Sequence, residues 1–427
     1  MVRLVCDAVR EAGFRELVLV AADEDGAVTR AAPPDVLVAT QPEPLGTGDA
    51  ALASRPQVGE APQVMIVNAD LPLITARTLR EVAERHDTSG LPLTILTAHL
   101  DDPTGYGRVL RRDGRVRGIV EESETDANTR GEREVNAGLY AADAAWLWPL
   151  LERIQPGPRG ERYLTHVIGL AVEREDGVQT YQVTDAAEVQ QVNTRLDLAH
   201  AEQIMRERVL RRLMLEGVTL VDPATTYVDV GIDVGPDTTL LPGVHLLGGT
   251  SVGSGCSIGP SAVLRDTKVA EDCEIGASTL EGATLAAGVT VGPYCHLRPG
   301  STIEEDVHLG NYVEVKASRI GARTSVGHFS YVGDADIGSD VNVGAGAVTC
   351  NYDGQDKHRT RIGNRAFIGS DSMLVAPIEI GEGAHTAAGA VVTRDVPPGA
   401  RVVGAPARVS ERDEHDEQAT QERARGG

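Results

Sequence analysis

Aromatic residues are nearly missing from this chain. Of 427 residues only 3 are Phe and 2 are Trp, and aromatics amount to 3%, so a large core has to be filled by Val, Ile, Leu and Ala. Cysteine is sparse as well: Cys6, Cys256, Cys273, Cys295 and Cys350 are odd in number and lack paired metal-ligand spacing, which points to a reducing cytoplasm. No apolar run reaches the length that spans a bilayer. Met1 to Gly13 spread their charges through an amphipathic helical pattern, unlike the basic start and apolar centre of a signal peptide.

Positive charge is short too. The 40 Lys and Arg face 63 Asp and Glu, a net charge of −23, which argues against nucleic acid or an anionic membrane as partner. A small phosphorylated ligand needs only a few local cations. Lysine is the scarcest of them, with only Lys268, Lys316 and Lys357 beside 37 arginines, so each lysine carries information, and a compact ammonium suits a phosphate contact.

What the second half has in abundance is one six-residue phrase, running from about Tyr227 to Val409: an aliphatic residue, then Gly, then four small or polar residues. Val252, Ile258, Ile275, Val291, Leu309, Ile320, Val326, Val332, Ile337, Val343, Ile362, Ile368 and Ile380 are each followed by Gly. The register persists without Gly at Val269, Leu285, Leu297, Ile303, Val315 and Leu374. One such phrase buries almost nothing alone, so coils must stack and line up their aliphatic residues. A solenoid of parallel strands follows, with Gly expected to supply positive φ at the corners and branched Val and Ile suited to the walls.

Before the repeats the period changes. Leu17 to Ala22, Asp35 to Ala39, Val64 to Asn68 and Pro92 to Leu96 read as buried strands, with helices over Thr75 to His86 and Arg162 to Glu173. Alternating strands and helices predict an open, mostly parallel α/β sheet that binds ligands at strand carboxyl ends. A further helix, Leu196 to Glu216, carries a stripe of Leu198, Ala201, Met205, Val209 and Leu213 and reads as an arm between two domains. The boundaries expected are 1–193, 194–226 for the arm and 227–409 for the solenoid, with a charged, disordered tail over 410–427.

Several segments carry possible chemistry. The Gln41 to Ala50 stretch, Gln-Pro-Glu-Pro-Leu-Gly-Thr-Gly-Asp-Ala, follows a strand and could bring backbone N–H groups to a base or phosphate. Asp70 follows the strand ending at Asn68, where a carboxylate could hold a divalent cation or simply cap a turn. His328 interrupts an otherwise regular phrase, and a histidine of near-neutral pKa can take a proton from an amine. Thr349 to Thr360 is too polar to continue the core and must project as a loop. Cys350 within it lacks a base partner by motif and reads as structural.

Taken in order, Gln41 with Leu-Gly-Thr-Gly, Asp70-Leu-Pro-Leu, the run Asp101-Asp-Pro-Thr-Gly-Tyr-Gly-Arg, Gly118-Ile-Val-Glu-Glu, Glu134-Val-Asn-Ala-Gly and Val192-Asn-Thr-Arg-Leu resemble, with the repeats, one family. It is that of the bacterial bifunctional N-acetylglucosamine-1-phosphate uridylyltransferase/glucosamine-1-phosphate N-acetyltransferase, and the resemblance extends to about Val403. It implies an α/β, Rossmann-like nucleotidyltransferase domain followed by a left-handed parallel β-helix, in a cytoplasmic homotrimer. It also implies acetyl transfer from acetyl-CoA to glucosamine 1-phosphate, then uridylyl transfer from UTP to N-acetylglucosamine 1-phosphate.

Position by position, the resemblance assigns Gln41, Gly46 and Thr47 to the uracil nucleotide and Gly107, Glu121 and Asn136 to the sugar nucleotide. Asp70 and Asn193 would hold Mg²⁺, Asn193 also counting among the implied nucleotide and sugar contacts. In the solenoid, His328 is the implied general base, Arg298 and Lys316 bind the acceptor phosphate, and Tyr331 and Asn342 bind its sugar. Ala345, Asn351, Tyr352, Ser370 and Ala388 match the acetyl-CoA contacts.

The sequence departs from the family at its start. It contains neither the Gly-rich loop of the form Leu-Ala-Ala-Gly-x-Gly-Thr-Arg nor the following Pro-Lys pair, and Met1 aligns with the helix after them, so the first domain reads as N-truncated. On that reading uridylyl transfer is expected to be lost, through a start placed too far downstream or through genuine loss; the remaining nucleotide-site residues favour the former. Asn68, Ala69 and Gln191 are smaller departures. Ala405 stands where the family places an Arg against the CoA phosphates, with Arg408 the nearest substitute and its role open. The alternatives are a monofunctional acetyltransferase with a vestigial first domain and a noncatalytic β-helix scaffold.

Overall fold

The computed structural model describes residues 1–157 and 160–410; the tail expected to be disordered lies, apart from Ser410, outside the described residues. The chain separates into two compact units, Met1–Ile204 and a second from Met205 onward. The helix Arg195–Leu215 runs through that boundary. None of the described helices is long and apolar enough to cross a membrane.

In the first unit the strands are β1 (Val18–Ala21), β2 (Leu37–Thr40), β3 (Gln63–Val67), β4 (Leu93–His99), β5 (Arg108–Arg112), β6 (Arg115–Val120), β7 (Glu134–Asp143) and β8 (Gln179–Gln182). They form two sheets. β1 and β2 pair in parallel by themselves, while the larger sheet runs β6-β5-β7-β4-β8 with β3 also paired to β7. The expected mostly parallel sheet is therefore corrected: β3–β7, β4–β7, β5–β6 and β5–β7 are antiparallel, and only β4–β8 is parallel there. The physical reason is local at β5–β6. Asp113 and Gly114 both take positive φ, 53° and 75°, the two-residue turn whose twist suits an antiparallel hairpin.

β7 is buried along its length except for Asp143, and it holds the larger sheet together. The helix Ala76–Ser89 packs beside it; Thr75 caps its start by accepting the Thr78 N–H, and Gly90 ends it in the left-handed region. The strands expected at Leu17 and Asp35 form as β1 and β2, but half-buried and not fully buried. Between the two sheets lies a cavity of about 710 Å³ lined by Val5, Phe14, Leu19, Val20, Ile66 and Trp148.

The second unit is the left-handed parallel β-helix. Among the described residues its walls are sheets of 10, 9 and 12 strands, and every strand but the last pairs in parallel register with the same position one coil away. Ile258, Ile275, Val291, Leu309, Val326, Val343 and Ile368 follow one another up one wall, and all are buried in a single core that extends to Val402. Burying each such side chain contributes roughly 1.5–3 kcal/mol. The stack begins earlier than Tyr227, because Thr219–Leu220 already pairs with Thr239–Leu240. At its other end Arg408–Ser410 folds back antiparallel on Arg401–Val403.

The glycines after the inward residues do a different job from the one expected. Apart from Gly259 they do not take positive φ; the left-handed corner falls two positions later, on Tyr294, Tyr312, Arg323, Phe329, Asp340, Arg365 and Asp371. Glycine is needed there because coils approach each other backbone to backbone. A Cβ on Gly253 would lie 2.6 Å from the Ala270 carbonyl carbon, and one on Gly310 would lie 1.8 Å from the Gly327 oxygen. Small hydroxyls also turn inward near corners and satisfy carbonyls of the next coil, as Thr238 does with Gly253 and Thr324 with Gly338, both at 2.8 Å.

Candidate functional site

In the first unit the predicted residues gather in three places. Gln41 leaves β2 with its N–H on the Ala21 carbonyl (2.8 Å). The loop after it is clipped by residues 162–164: Arg162 N–H donates to Leu45 O, Gly48 N–H to Arg162 O and Leu164 N–H to the Thr47 hydroxyl. Gly46 has φ 101°, and a Cβ there would lie 2.6 Å from Arg162 O, so only glycine fits. This clip also explains why the helix expected from Arg162 begins at His166: residues 162–164 are spent on the loop.

Gly107, Glu121 and Asn136 form the second group. The Asn136 N–H donates to Gly107 O (2.8 Å), and a Cβ on Gly107 would strike Ile119 at 2.8 Å, with Glu121 Oε2 3.6 Å away. Thr165 donates its hydroxyl to Glu121, and Asn136 donates its amide to the Tyr140 hydroxyl (2.6 Å). Burial pushes the Tyr140 phenol up, so it stays neutral. Sequence reading missed Thr165 and Tyr140, whose signal exists only in the pairing of distant segments.

Asp70 and Asn193 are brought together by the Val192 N–H, which donates to Asp70 O (3.0 Å). Tyr106 holds the same segment, donating to Val189 O (3.1 Å) and accepting from Gln191 N–H (3.2 Å). Oδ1 of Asp70 is buried with no hydrogen-bond partner among the described residues, and burial raises the carboxyl's pKa. An orphaned carboxylate oxygen is a place for a cation. Among the described residues no three His, Cys, Asp or Glu cluster for a metal, so a cation here would take one carboxylate plus neutral and substrate oxygens, which suits a hard ion such as Mg²⁺.

In the solenoid His328 stands exposed on a corner, between Gly327 and the left-handed Phe329. Its Nδ1 pairs with Asn311 Oδ1 from the coil before. An amide oxygen only accepts, so Nδ1 carries the proton in this pair, and in the neutral ring the lone pair falls on Nε2. Sequence reading did not find Asn311; it is the equivalent corner position one coil earlier. Gly346 N–H donates to His328 O, Asp371 N–H to Ala345 O and Gly389 N–H to Ser370 O. Those bonds line up Ala345, Ser370 and Ala388 on successive coils of the same corner as His328.

The cations lie on the adjoining wall. Glu314 is in register with Tyr331, Lys316 with Gly333, and Arg298 donates its N–H to Val315 O. Arg298 pairs with Glu314 (3.0 Å), and Lys316 lies 3.9 Å from Asp334. Asn351 donates its amide to Asp334, and a Cβ on Gly333 would meet both Tyr331 Oη (2.5 Å) and Asn351 Nδ2 (2.7 Å). Asn342 sits apart from this wall, paired in register with Ser325.

The loop expected after Thr349 does project, closed by the His358 N–H on Asn351 O and by Asp353, which accepts from Gln355 N–H, Asp356 N–H and His358. Those bonds hold Asp353 well below the usual carboxylate range. The loop brings Lys357 beside Lys316, whose ammonium lowers the Lys357 pKa; two cations facing each other favour an anion between them. Tyr352 is exposed, its hydroxyl on Gly354 O. Burial pushes the Cys350 thiol up, in keeping with a structural cysteine. Arg408 is exposed and donates only to Ala407 O among the described bonds. A feature the sequence reading missed is a stack of exposed rings beside His328, Tyr294 on Tyr312 (5.1 Å) and Tyr312 on Phe329 (5.2 Å).

Residues 1–135 match the model of the MobA-like NTP transferase domain, and residues 359–394 match that of the bacterial transferase hexapeptide (six repeats). Fold and site thus define a two-part transferase, a nucleotidyltransferase unit joined to a hexapeptide acyltransferase. Curated relatives agree over most of the chain. Proteins named "Bifunctional protein GlmU" are 42% identical in Trichlorobacter lovleyi, over 92% of this chain and 86% of the relative; 46% in Geobacter sulfurreducens, over 85% and 81%; and 45% in Rubrobacter xylanophilus, over 96% and 87%. The chain belongs to the bifunctional GlmU family. It is an enzyme of UDP-N-acetylglucosamine synthesis, a glucosamine-1-phosphate N-acetyltransferase and N-acetylglucosamine-1-phosphate uridylyltransferase, and this family is favoured over a monofunctional acetyltransferase or a scaffold.

Proposed function

We propose that acetyl transfer takes place at the His328 corner, by direct attack without an acyl-enzyme. The observation that carries this is the His328–Asn311 pair, which puts the lone pair of the neutral ring on Nε2. Nε2 takes a proton from the amine of glucosamine 1-phosphate as its nitrogen attacks the thioester carbonyl of acetyl-CoA; the C–S bond breaks and CoA leaves as the thiolate. Backbone N–H groups stabilise the oxyanion. Arg298 and Lys316 bind the acceptor phosphate, with Lys357 a third cation, while Tyr331 and Asn342 hold the sugar. Ala345, Asn351, Tyr352, Ser370 and Ala388 line the acetyl-CoA groove.

In the first unit Gln41, Gly46 and Thr47 bind the uracil nucleotide, and Gly107, Glu121 and Asn136 the sugar. Asp70 and Asn193 hold Mg²⁺, which when bound neutralises phosphate charge. The reading extends to a cytoplasmic homotrimer that binds no nucleic acid or membrane, with functional segments 1–193, 194–226 and 227–409. The test is His328→Ala, assayed for acetyl-CoA and UTP turnover separately. Acetyl transfer should fall by about 10³-fold with the fold intact and the trimer kept; near-normal acetyl turnover would sink the assignment.

A further inference from the structure

The amide of Gln41 is not free to choose which end it shows a ligand. Its Nε2 donates to Gly46 O (3.1 Å) and to Asp49 Oδ2 (2.9 Å). Both partners only accept, so the nitrogen must face them and both its hydrogens are spent. Asp49 is itself held, with Oδ1 3.7 Å from Arg162 Nη1, and Arg162 belongs to the segment that clips the loop. Gln41 Oε1 and the Gly46 N–H have no partner among the described residues. One loop therefore keeps one acceptor and one donor unspent.

We propose that Asp49 is a positioning residue: by fixing the Gln41 amide it makes this loop read the imide edge of uracil, a donor at N3 and an acceptor at O4. Cytosine offers the reverse pattern, an acceptor at N3 and an amino donor at C4, and meets like against like. The inference rests on the reading of Gln41 and Gly46 as base contacts. Without Asp49 the amide can turn over. With Asn there, the donor-only Arg162 attracts the Asn oxygen, so the Asn NH₂ faces Gln41 and draws its oxygen inward.

The test is titration of the full chain, in Mg²⁺, with UTP and with CTP, for the native protein, Asp49→Ala and Asp49→Asn. The native chain should prefer UTP, and both variants should lose about tenfold of that preference. A native preference that survives both substitutions overturns the role of Asp49 alone. So does an equal loss of both nucleotides with the ratio kept, which marks Asp49 as structural. A native chain that binds neither nucleotide, or both equally, overturns the base-site reading and the inference with it.

Discussion

The two units reach a buried core by opposite routes. In the solenoid one aliphatic position recurs on every coil, and the result is a single continuous core from Val209 to Val402. In the first unit the apolar residues split into separate clusters, one on each side of the larger sheet and a small one around Val2, Cys6, Leu19 and Val36, with the 710 Å³ cavity between the two sheets. A repeat needs only its neighbours to be complete, whereas an α/β sheet needs every strand in place. The sites follow suit. The solenoid brings Asn311, His328, Ala345, Ser370 and Ala388 to equivalent corners of successive coils, while the first unit assembles its clusters from segments far apart in the chain.

This contrast can be broken at four points. The largest effect is expected at Gly310→Ala, whose Cβ would lie 1.8 Å from Gly327 O and 3.1 Å from His328 Nδ1. Calorimetry should show a loss of about 3 kcal/mol, with acetyl transfer falling alongside; an unchanged melting temperature would mean that the coils can spread. Next is Asn311→Ala, which frees the His328 ring. We expect kcat for acetyl transfer to drop about tenfold and its pH profile to change, while KM for glucosamine 1-phosphate holds. An unaltered pH profile would remove Asn311 from the mechanism.

Asp70→Asn should separate stability from function in the first unit. Its folded pKa is raised by burial, so the charged form is the disfavoured one. The cost of that charge is present above the folded pKa and disappears as pH falls through it. The neutral variant should therefore melt higher at pH 7, by roughly a few degrees, lose the advantage in acid, and lose Mg²⁺-dependent uridylyl transfer. A variant less stable at pH 7 would contradict the burial argument. The smallest effect is Gly169→Ala, within the helix His166–Glu173 and with nothing near its Cβ; a gain of about 0.5–1 kcal/mol is expected, against the loss at Gly310.

Legibility followed the same divide. The inward column, the corner histidine and the projecting loop were readable from Val326, His328 and Thr349 because a six-residue period assigns each position a direction. Asn311, Lys357 and the ring stack were readable only after stacking, since they meet across coils. In the first unit the helix Ala76–Ser89 was legible from its pattern and capping Thr75. The direction of β7 was not, nor was the late start at His166, because both depend on partners far away in the chain.

By itself, then, the sequence determined the repeat, the two-part organisation and the residue types at each site, since these depend on local period and motif. Tertiary structure decided what the glycines are for, which nitrogen of His328 is free and which end of Gln41 faces outward. Each of those is set by an atom on another coil or segment: Gly327 O, Asn311 Oδ1 and Asp49 Oδ2.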